Sequence, residues 1–284
     1  MTLTALVPSS LVREAEDQRE ATRKIGYVAR AATVFRADRL VVYPDVDGER
    51  RWGGTFVRTV LEYAATPPYL RKEVWGQRDE LRYVGVLPPL LPSRTSSESS
   101  ELREGIVTEV GPDGRVRVTC GLQHPISLRT PPDMEVSEGE RVTIRVSSRE
   151  PVRARIVDEP TPGYTVVRSD LSEALAHPEA GTTIASSRYG AELSVGGLAD
   201  LHTQGVLDGD LTVAFGAPAR GLPAILGITP EEVPADPSAE TGPAPVEPDQ
   251  GFDLWLNTIP HQGSEVVRTE EAMFATLAAL TLQE

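Results

Sequence analysis

The chain has 284 residues, 39% of them hydrophobic, with 28 basic against 42 acidic side chains for a net charge of −14. That length suits one large or two ordinary domains with a sizeable core, and no run of eighteen apolar residues offers a membrane span. Pro8-Ser9-Ser10 breaks the only candidate leader, Cys120 stands alone, and the four histidines show no ligand spacing, so the reading is a cytoplasmic globular protein without disulfide or metal.

Leu3, Ala5 and Val7 alternate as a strand, and Ser9 and Ser10 can cap the helix after it. Ile25, Val28, Ala29, Ala32 and Phe35 form a helical stripe. Leu40–Tyr43 is a short buried strand ending at Pro44-Asp45, and a second helix runs from Gly54 to Ala65 before Thr66-Pro67-Pro68 stops it. Arg82–Leu87 reads as another strand. This is the βα alternation of a mostly parallel sheet.

Composition changes at the polar stretch Pro92–Ser100. Residues 105–110 and 116–120 face each other across Gly111-Pro112-Asp113-Gly114, a hairpin signal, and Val142–Val146 and Ala154–Val157 follow. About five short strands in this space fit a small barrel of OB type. Then βα alternation resumes with Thr182–Gly190, Leu211–Phe215 and Phe252–Asn257 as strands. Ala272, Met273, Thr276, Leu277 and Leu280 mark a last helix, with Glu270 and Glu271 in its first turn. Between Ile228 and Gln250 lie six carboxylates and six prolines with no basic residue, a segment that reads as a mobile loop unable to bury apolar surface.

The charge is uneven. Residues 1–100 hold 15 basic against 13 acidic side chains, the remainder 13 against 29, and Lys24 and Lys72 are the only lysines. Excess surface carboxylate with scarce lysine is the pattern of salt-loving archaea, although a GC-rich genome would also exchange Lys for Arg. Arginine suits phosphate contact, since its fork binds oxygens bidentately.

Three turns stand at strand ends. Ser187-Arg188-Tyr189-Gly190 alone is an ordinary β-turn. Gly216-Ala217-Pro218-Ala219-Arg220-Gly221-Leu222 has two glycines five apart around a Pro, and Leu222-Pro223 stands where a P-loop needs Lys-Ser/Thr. Leu256–Ala272 combines an extended lead-in, a Pro, a Gln-Gly turn and an abrupt helix start. No G-x-S-x-G elbow or His–carboxylate constellation speaks for a hydrolase.

These blocks, in this order, together with Lys24-Ile25-Gly26-Tyr27-Val28-Ala29-Arg30, resemble the motifs of SPOUT-class methyltransferases. The resemblance covers nearly the whole chain and lies nearest the archaeal and eukaryotic group with an inserted OB-type barrel. Arg268-Thr269-Glu270 is also similar to the bacterial enzymes that make 3-methyluridine. One departure is Lys24, where the first motif often begins with Asn.

The resemblance implies an α/β fold with a trefoil-knotted, mostly parallel sheet and an inserted OB-like β-barrel. The knot domain would take residues 1–92 and 160–284, the barrel 93–159, and the acidic loop 228–250. It implies an S-adenosylmethionine-dependent RNA methyltransferase, acting on rRNA at uridine N3 and working as a homodimer.

The implied cofactor residues are Ser187, Arg188 and Gly190 in the first turn, Phe215, Gly216, Gly221 and Leu222 in the second, and Asn257, Ile259, Pro260, Gln262, Gly263, Arg268 and Thr269 in the third. Arg30 would stabilise charge on the uracil oxygens, or is a surface residue of an amphipathic helix. Glu270 would orient an arginine or accept a proton, or simply favours a helix start. The barrel arginines Arg115, Arg117, Arg141, Arg145, Arg153 and Arg155 suit backbone or shape recognition of RNA, because no aromatic residue for stacking lies between Glu101 and Asp158. The rival is a knot-fold protein that binds RNA or a ribosomal particle without methylating.

Overall fold

A computed structural model describes residues 2–90, 96–97, 100–161, 163–234 and 251–282. They group into two units, one within 1–62, 80–90 and 164–284, the other within 63–79 and 91–163.

The first unit opens with β1 (Leu3–Pro8), α1 (Gln18–Val34), β2 (Arg39–Tyr43) and α2 (Gly54–Ala65). Every residue of β1 is buried, as expected of a strand covered on both faces. Asp17 caps α1, its carboxylate accepting from Glu20 N at 2.7 Å. The expectation that Ser9 and Ser10 cap this helix is therefore corrected. Both hydroxyls serve Asp45 beyond β2: Ser9 Oγ accepts from Asp45 N at 2.8 Å, and Ser10 Oγ donates to the carboxylate.

Arg82–Leu87 is not a strand. It follows a 3-10 turn at Asp79–Leu81 and itself coils as one at Val84–Val86, because Gly85 weakens extension and Pro88-Pro89 lack the N–H groups a ladder needs. The turn packs onto α1 at Gly26, where an added Cβ would lie 2.7 Å from Pro88 Cδ and 2.9 Å from Leu87 Cδ2. Glycine is required there for close approach.

The second unit contains α3 (Arg71–Val74), the two-residue β3 (Ser96–Ser97), β4 (Ser100–Val110), β5 (Arg115–Thr119), β6 (Ile126–Arg129), β7 (Arg141–Arg149) and β8 (Val152–Val157). Its sheet is antiparallel in the order β6-β5-β4-β7-β8, and β6 comes round to β8 so that a small barrel nearly closes. Val116, Val118, Val142, Ile144, Val146 and Ile156 point inward and fill it. Arg115 and Arg117 alternate with Val116 and Val118, which puts the arginines outside. Several barrel arginines are neutralised by carboxylates: Arg141 by Glu104 at 3.1 Å, Arg149 by Glu101 at 2.6 Å, and Arg145 by Glu159.

The first unit resumes with β9 (Thr165–Arg168), α4 (Leu171–Leu175), β10 (Thr182–Glu192), α5 (Val195–Thr203), β11 (Leu211–Phe215), α6 (Leu222–Leu226), β12 (Leu254–Asn257) and α7 (Thr269–Leu280). Six strands form one sheet in the order β12-β10-β11-β1-β2-β9, and every pairing is parallel. α7 packs on α1, with Phe35 and Phe274 edge to face at 6.0 Å. Most of the polar stretch Pro92–Ser100, and residues 235–250 of the acidic segment, lie outside the described residues. The start of that segment differs from expectation: Ile228 packs on the core and Val233 is buried in it with Phe252 and Trp255.

Candidate active site

The carboxyl ends of β10, β11 and β12 open onto one cleft of about 440 Å³. Ligands of open parallel sheets bind in such crevices, and the volume suits a cofactor-sized molecule. All three turns singled out in the sequence contribute to its wall.

The first turn arises from a break in pairing. Ser186 and Ala191 both stand opposite Leu256 of β12, so residues 187–190 bulge from the ladder toward the cleft. Ser187, Arg188 and Tyr189 line it. The Arg188 guanidinium lies 4.8 Å from the Tyr189 ring centre and donates to its hydroxyl at 2.6 Å. Gly190 is not part of the lining. A Cβ there would sit 2.6 Å from the Trp255 carbonyl carbon, so it lets β12 pass closely.

The second turn closes on itself. Ala217 N donates to Arg220 O at 2.9 Å and Arg220 N to Ala217 O at 3.0 Å. Ala219 is held at φ 54°, a region that costs a non-glycine residue about 1 kcal/mol or more. A Cβ on Gly216 would lie 2.8 Å from Gly221 Cα, so the paired glycines permit the chain to double back. Gly216 and Gly221 line the cleft. Phe215 and Leu222 are fully buried behind it, with Phe215 O accepting from Tyr43 Oη at 2.6 Å.

The third turn is bound to the first. Asn257 Nδ2 donates to Arg188 O at 3.2 Å, and its Oδ1 accepts from Ile259 N at 3.1 Å. Asn257, Ile259, Gln262, Arg268 and Thr269 reach the cleft, while Pro260 and Gly263 lie in the same loop outside its lining. Thr269 Oγ1 donates to Gly216 O at 2.8 Å, tying α7 to the second turn. Arg268 donates through Nε to Glu14 at 2.9 Å, and Glu14 also receives Lys24 Nζ at 2.7 Å. Lys24, the departure from the motif, is thus a buried cation held between Glu14 and Glu20.

Glu270 is buried beside this network. Burial pushes its carboxyl up to about 7; Glu271 adds to the rise, while a backbone hydrogen bond, Lys24 and Arg268 oppose it. Arg30 is not among the residues lining the cleft, and it donates from Nη1 to Pro89 O at 2.9 Å.

The pairing of Arg220 with Asp45 escaped the sequence reading, although Arg220 belongs to the second turn. Its partner is 175 positions away and no local pattern announces it. Also unforeseen was the hydroxyl chain in which Thr276 Oγ1 lies 2.7 Å from Thr258 Oγ1 and 3.0 Å from Ser186 Oγ, joining α7 to the ends of β12 and β10.

A glycine-paired turn, a bulged strand end and a loop running into a helix surround one cleft, and the whole chain can be placed accordingly. Residues 2–280 match the family described as "Putative RNA methyltransferase", and the chain belongs to that family of RNA methyltransferases. An uncharacterized protein of Haloarcula marismortui is 63% identical over the full length of both chains. One of Halobacterium salinarum is 64% identical, again over both full lengths. The 28S rRNA (uridine-N(3))-methyltransferase of Homo sapiens is 29% identical over 98% of this chain and 77% of that one. Among the described residues no helix is long and apolar enough to cross a membrane, and no cluster of His, Cys, Asp or Glu could hold a metal ion.

Proposed function

We propose that the protein transfers a methyl group from S-adenosylmethionine to N3 of a uridine in large-subunit rRNA. The observation that carries this reading is the single cleft at the ends of β10, β11 and β12, in a chain of an RNA methyltransferase family. The activity for which the human relative is named supports the acceptor atom and the class of RNA.

The cleft fits the donor by its chemistry. Gly216 lets the turn double back, and Gly221 leaves bare backbone at the cleft, where an added Cβ would meet only Pro223 Cδ at 3.6 Å. Ile228, Ile259, Val266 and Val267 add apolar lining for a flat base. Ser187, Arg188, Gly216, Gly221, Asn257, Ile259, Gln262, Arg268 and Thr269 would hold it, with Pro260 and Gly263 shaping the loop and Gly190, Phe215 and Leu222 supporting it from behind. When bound, the donor supplies a methyl group on a sulfonium, open to in-line displacement.

The protein's share of catalysis is then positioning in a dry site. Uridine N3 loses its imide proton, and charge grows on the two flanking carbonyl oxygens. Arg30 serves as the fixed donor to that charge. That it is not among the residues lining the cleft of its own chain supports a homodimer in which each Arg30 acts in the partner's cleft. In this reading Glu270, its carboxyl raised to about 7, orients Arg268 or takes a proton. The sheet carries the trefoil knot of the SPOUT class in this reading, and the barrel serves as the RNA platform. Two full-length relatives from Haloarcula and Halobacterium, with the excess of carboxylates, support a cytoplasmic enzyme of a salt-loving archaeon.

The test is incubation of the purified protein with S-adenosylmethionine and an unmodified large-subunit rRNA transcript, followed by nucleoside mass spectrometry. The expected product is 3-methyluridine. Tight RNA binding with no methylated nucleoside would leave a binding protein in its place.

A further inference from the structure

One cation of the cleft, Arg220, has no role in the donor site described above. Three arginines, Arg188, Arg220 and Arg268, line the cleft against a single carboxylate, Glu265, in a chain whose net charge is −14. Two are committed within the protein: Arg188 to Tyr189, Arg268 to Glu14 and Glu271.

Arg220 is held differently. Its Nε lies 3.1 Å from each carboxylate oxygen of Asp45, a residue only 5% exposed. Asp45 is itself fixed by Ser10 Oγ donating to its carboxylate and by its backbone N–H donating to Ser9 Oγ. Among the described residues, the two terminal nitrogens of Arg220 have no hydrogen-bond partner. The reciprocal Ala217–Arg220 hydrogen bonds and the left-handed Ala219 fix the backbone from which the side chain leaves. A guanidinium gripped through its inner nitrogen keeps a planar fork for oxygens, the arrangement that suits a phosphate.

We propose that Arg220, oriented by Asp45 and Ser10, binds a phosphate of the RNA strand beside the nucleotide to be methylated. The inference rests on the RNA methyltransferase reading and assigns a further residue of the same cleft. Phosphate is favoured over the donor's carboxylate by position. The donor turns leave β10, β11 and β12, whereas Asp45 follows β2, two strand spacings or about 10 Å from β11. The anchor draws the charge of Arg220 toward Asp45 at the end of β2. A strand of RNA approaching so acidic a protein needs such a local cation.

The experiment measures binding of the unmodified large-subunit rRNA transcript to the intact protein across KCl concentrations at which it stays folded, with S-adenosylmethionine affinity measured in parallel. Arg220→Gln should weaken RNA binding about tenfold at the lowest KCl. It should also lower the slope of log K against log [KCl] by about 0.7–0.9, the value of one phosphate contact. Arg220→Lys should keep the slope and part of the affinity, and donor affinity should not change in either variant. Should loss of the arginine leave Asp45 unpaired and the fold weakened, Asp45→Asn with Arg220→Gln removes that charge and should show the same reduced slope. An unchanged slope overturns the proposal. So does a fall in donor affinity with RNA binding intact, which would give Arg220 to the donor's carboxylate. Failure of the wild type to methylate RNA would instead sink the functional reading, and leaves the slope comparison standing.

Discussion

The Thr269 hydroxyl donates to the carbonyl of Gly216 across 2.8 Å, and this one bond joins the first residue of α7 to the first residue of the β11 turn. The two are 53 positions apart in sequence, and both line the cleft. Thr269 is 1% exposed, so its hydroxyl is directed into the protein, to this carbonyl, rather than out to solvent.

Thr269→Val keeps the shape of the side chain and removes the donor. The orphaned carbonyl should cost about 1–3 kcal/mol of stability and loosen the turn, so that S-adenosylmethionine affinity falls as well. Thr269→Ser should restore both. Denaturation midpoints and titration calorimetry on the three proteins decide it; a Val variant with wild-type donor affinity would free the turn from this bond.

Substitutions at the two loop glycines should differ in their effect on stability. Gly216→Ala places a Cβ 2.8 Å from Gly221 Cα, and the backbone must shift, with loss of stability and of donor binding. At Gly263 a Cβ meets nothing within 4 Å, so Gly263→Val should leave the melting temperature nearly unchanged and act only on donor affinity. Wild-type-like affinity in that variant removes Gly263 from the donor loop.

Glu270 gives a pH signature. Its carboxyl is raised from 4.5 to about 7, chiefly by burial. Between those values the folded chain holds a proton that the unfolded chain releases, so stability falls as pH rises through the window and levels off above it. Glu270→Gln should abolish the fall and be more stable than wild type above pH 7 by on the order of 3 kcal/mol. Denaturant midpoints from pH 4 to 8 report this, and parallel curves would contradict it. Methyl transfer that persists in the same variant would mark Glu270 as a packed helix-start residue rather than a proton acceptor.

Arg30 tests the dimer. Arg30→Ala should bind donor normally yet lose turnover, since its effect falls on charge that develops only in the transition state. Mixed with Gly263→Val and refolded, it should form dimers with one intact cleft facing one intact Arg30, and regain about half of wild-type activity per dimer. A mixture no better than its separate components would place Arg30 in its own chain's cleft or outside the chemistry.

Much of the architecture could be read in one dimension because buried parallel strands are apolar runs. Leu40–Tyr43 and Leu211–Phe215 are buried throughout, and the helix expected at Gly54–Ala65 has those same ends. The alternation of Val116 and Val118 with arginines likewise foretold a half-buried antiparallel strand. Errors came where tertiary contact overrode local pattern. Arg82–Leu87 looks extended, yet Pro88 and Leu87 are needed as a cap over Gly26. β9 has only four residues, none fully buried, and gives no alternation to detect. The cleft turns were visible as glycine and proline punctuation, while the Asp45–Arg220 pair was not, since it depends on β2 and β11 ending at the same edge of the sheet.

Lys24 is one of only two lysines, and its ammonium is closed off between Glu14 and Glu20 at 3% exposure, whereas Lys72 is open. Side-chain amine chemistry on the native protein is therefore confined to Lys72. An acylating reagent can reach Lys24 only when the start of α1 lifts away, so the rate at which a second lysine becomes labelled is a clock for the local opening of that helix. The same clock should slow when donor is bound, because Glu14 also grips Arg268 at the edge of the cleft.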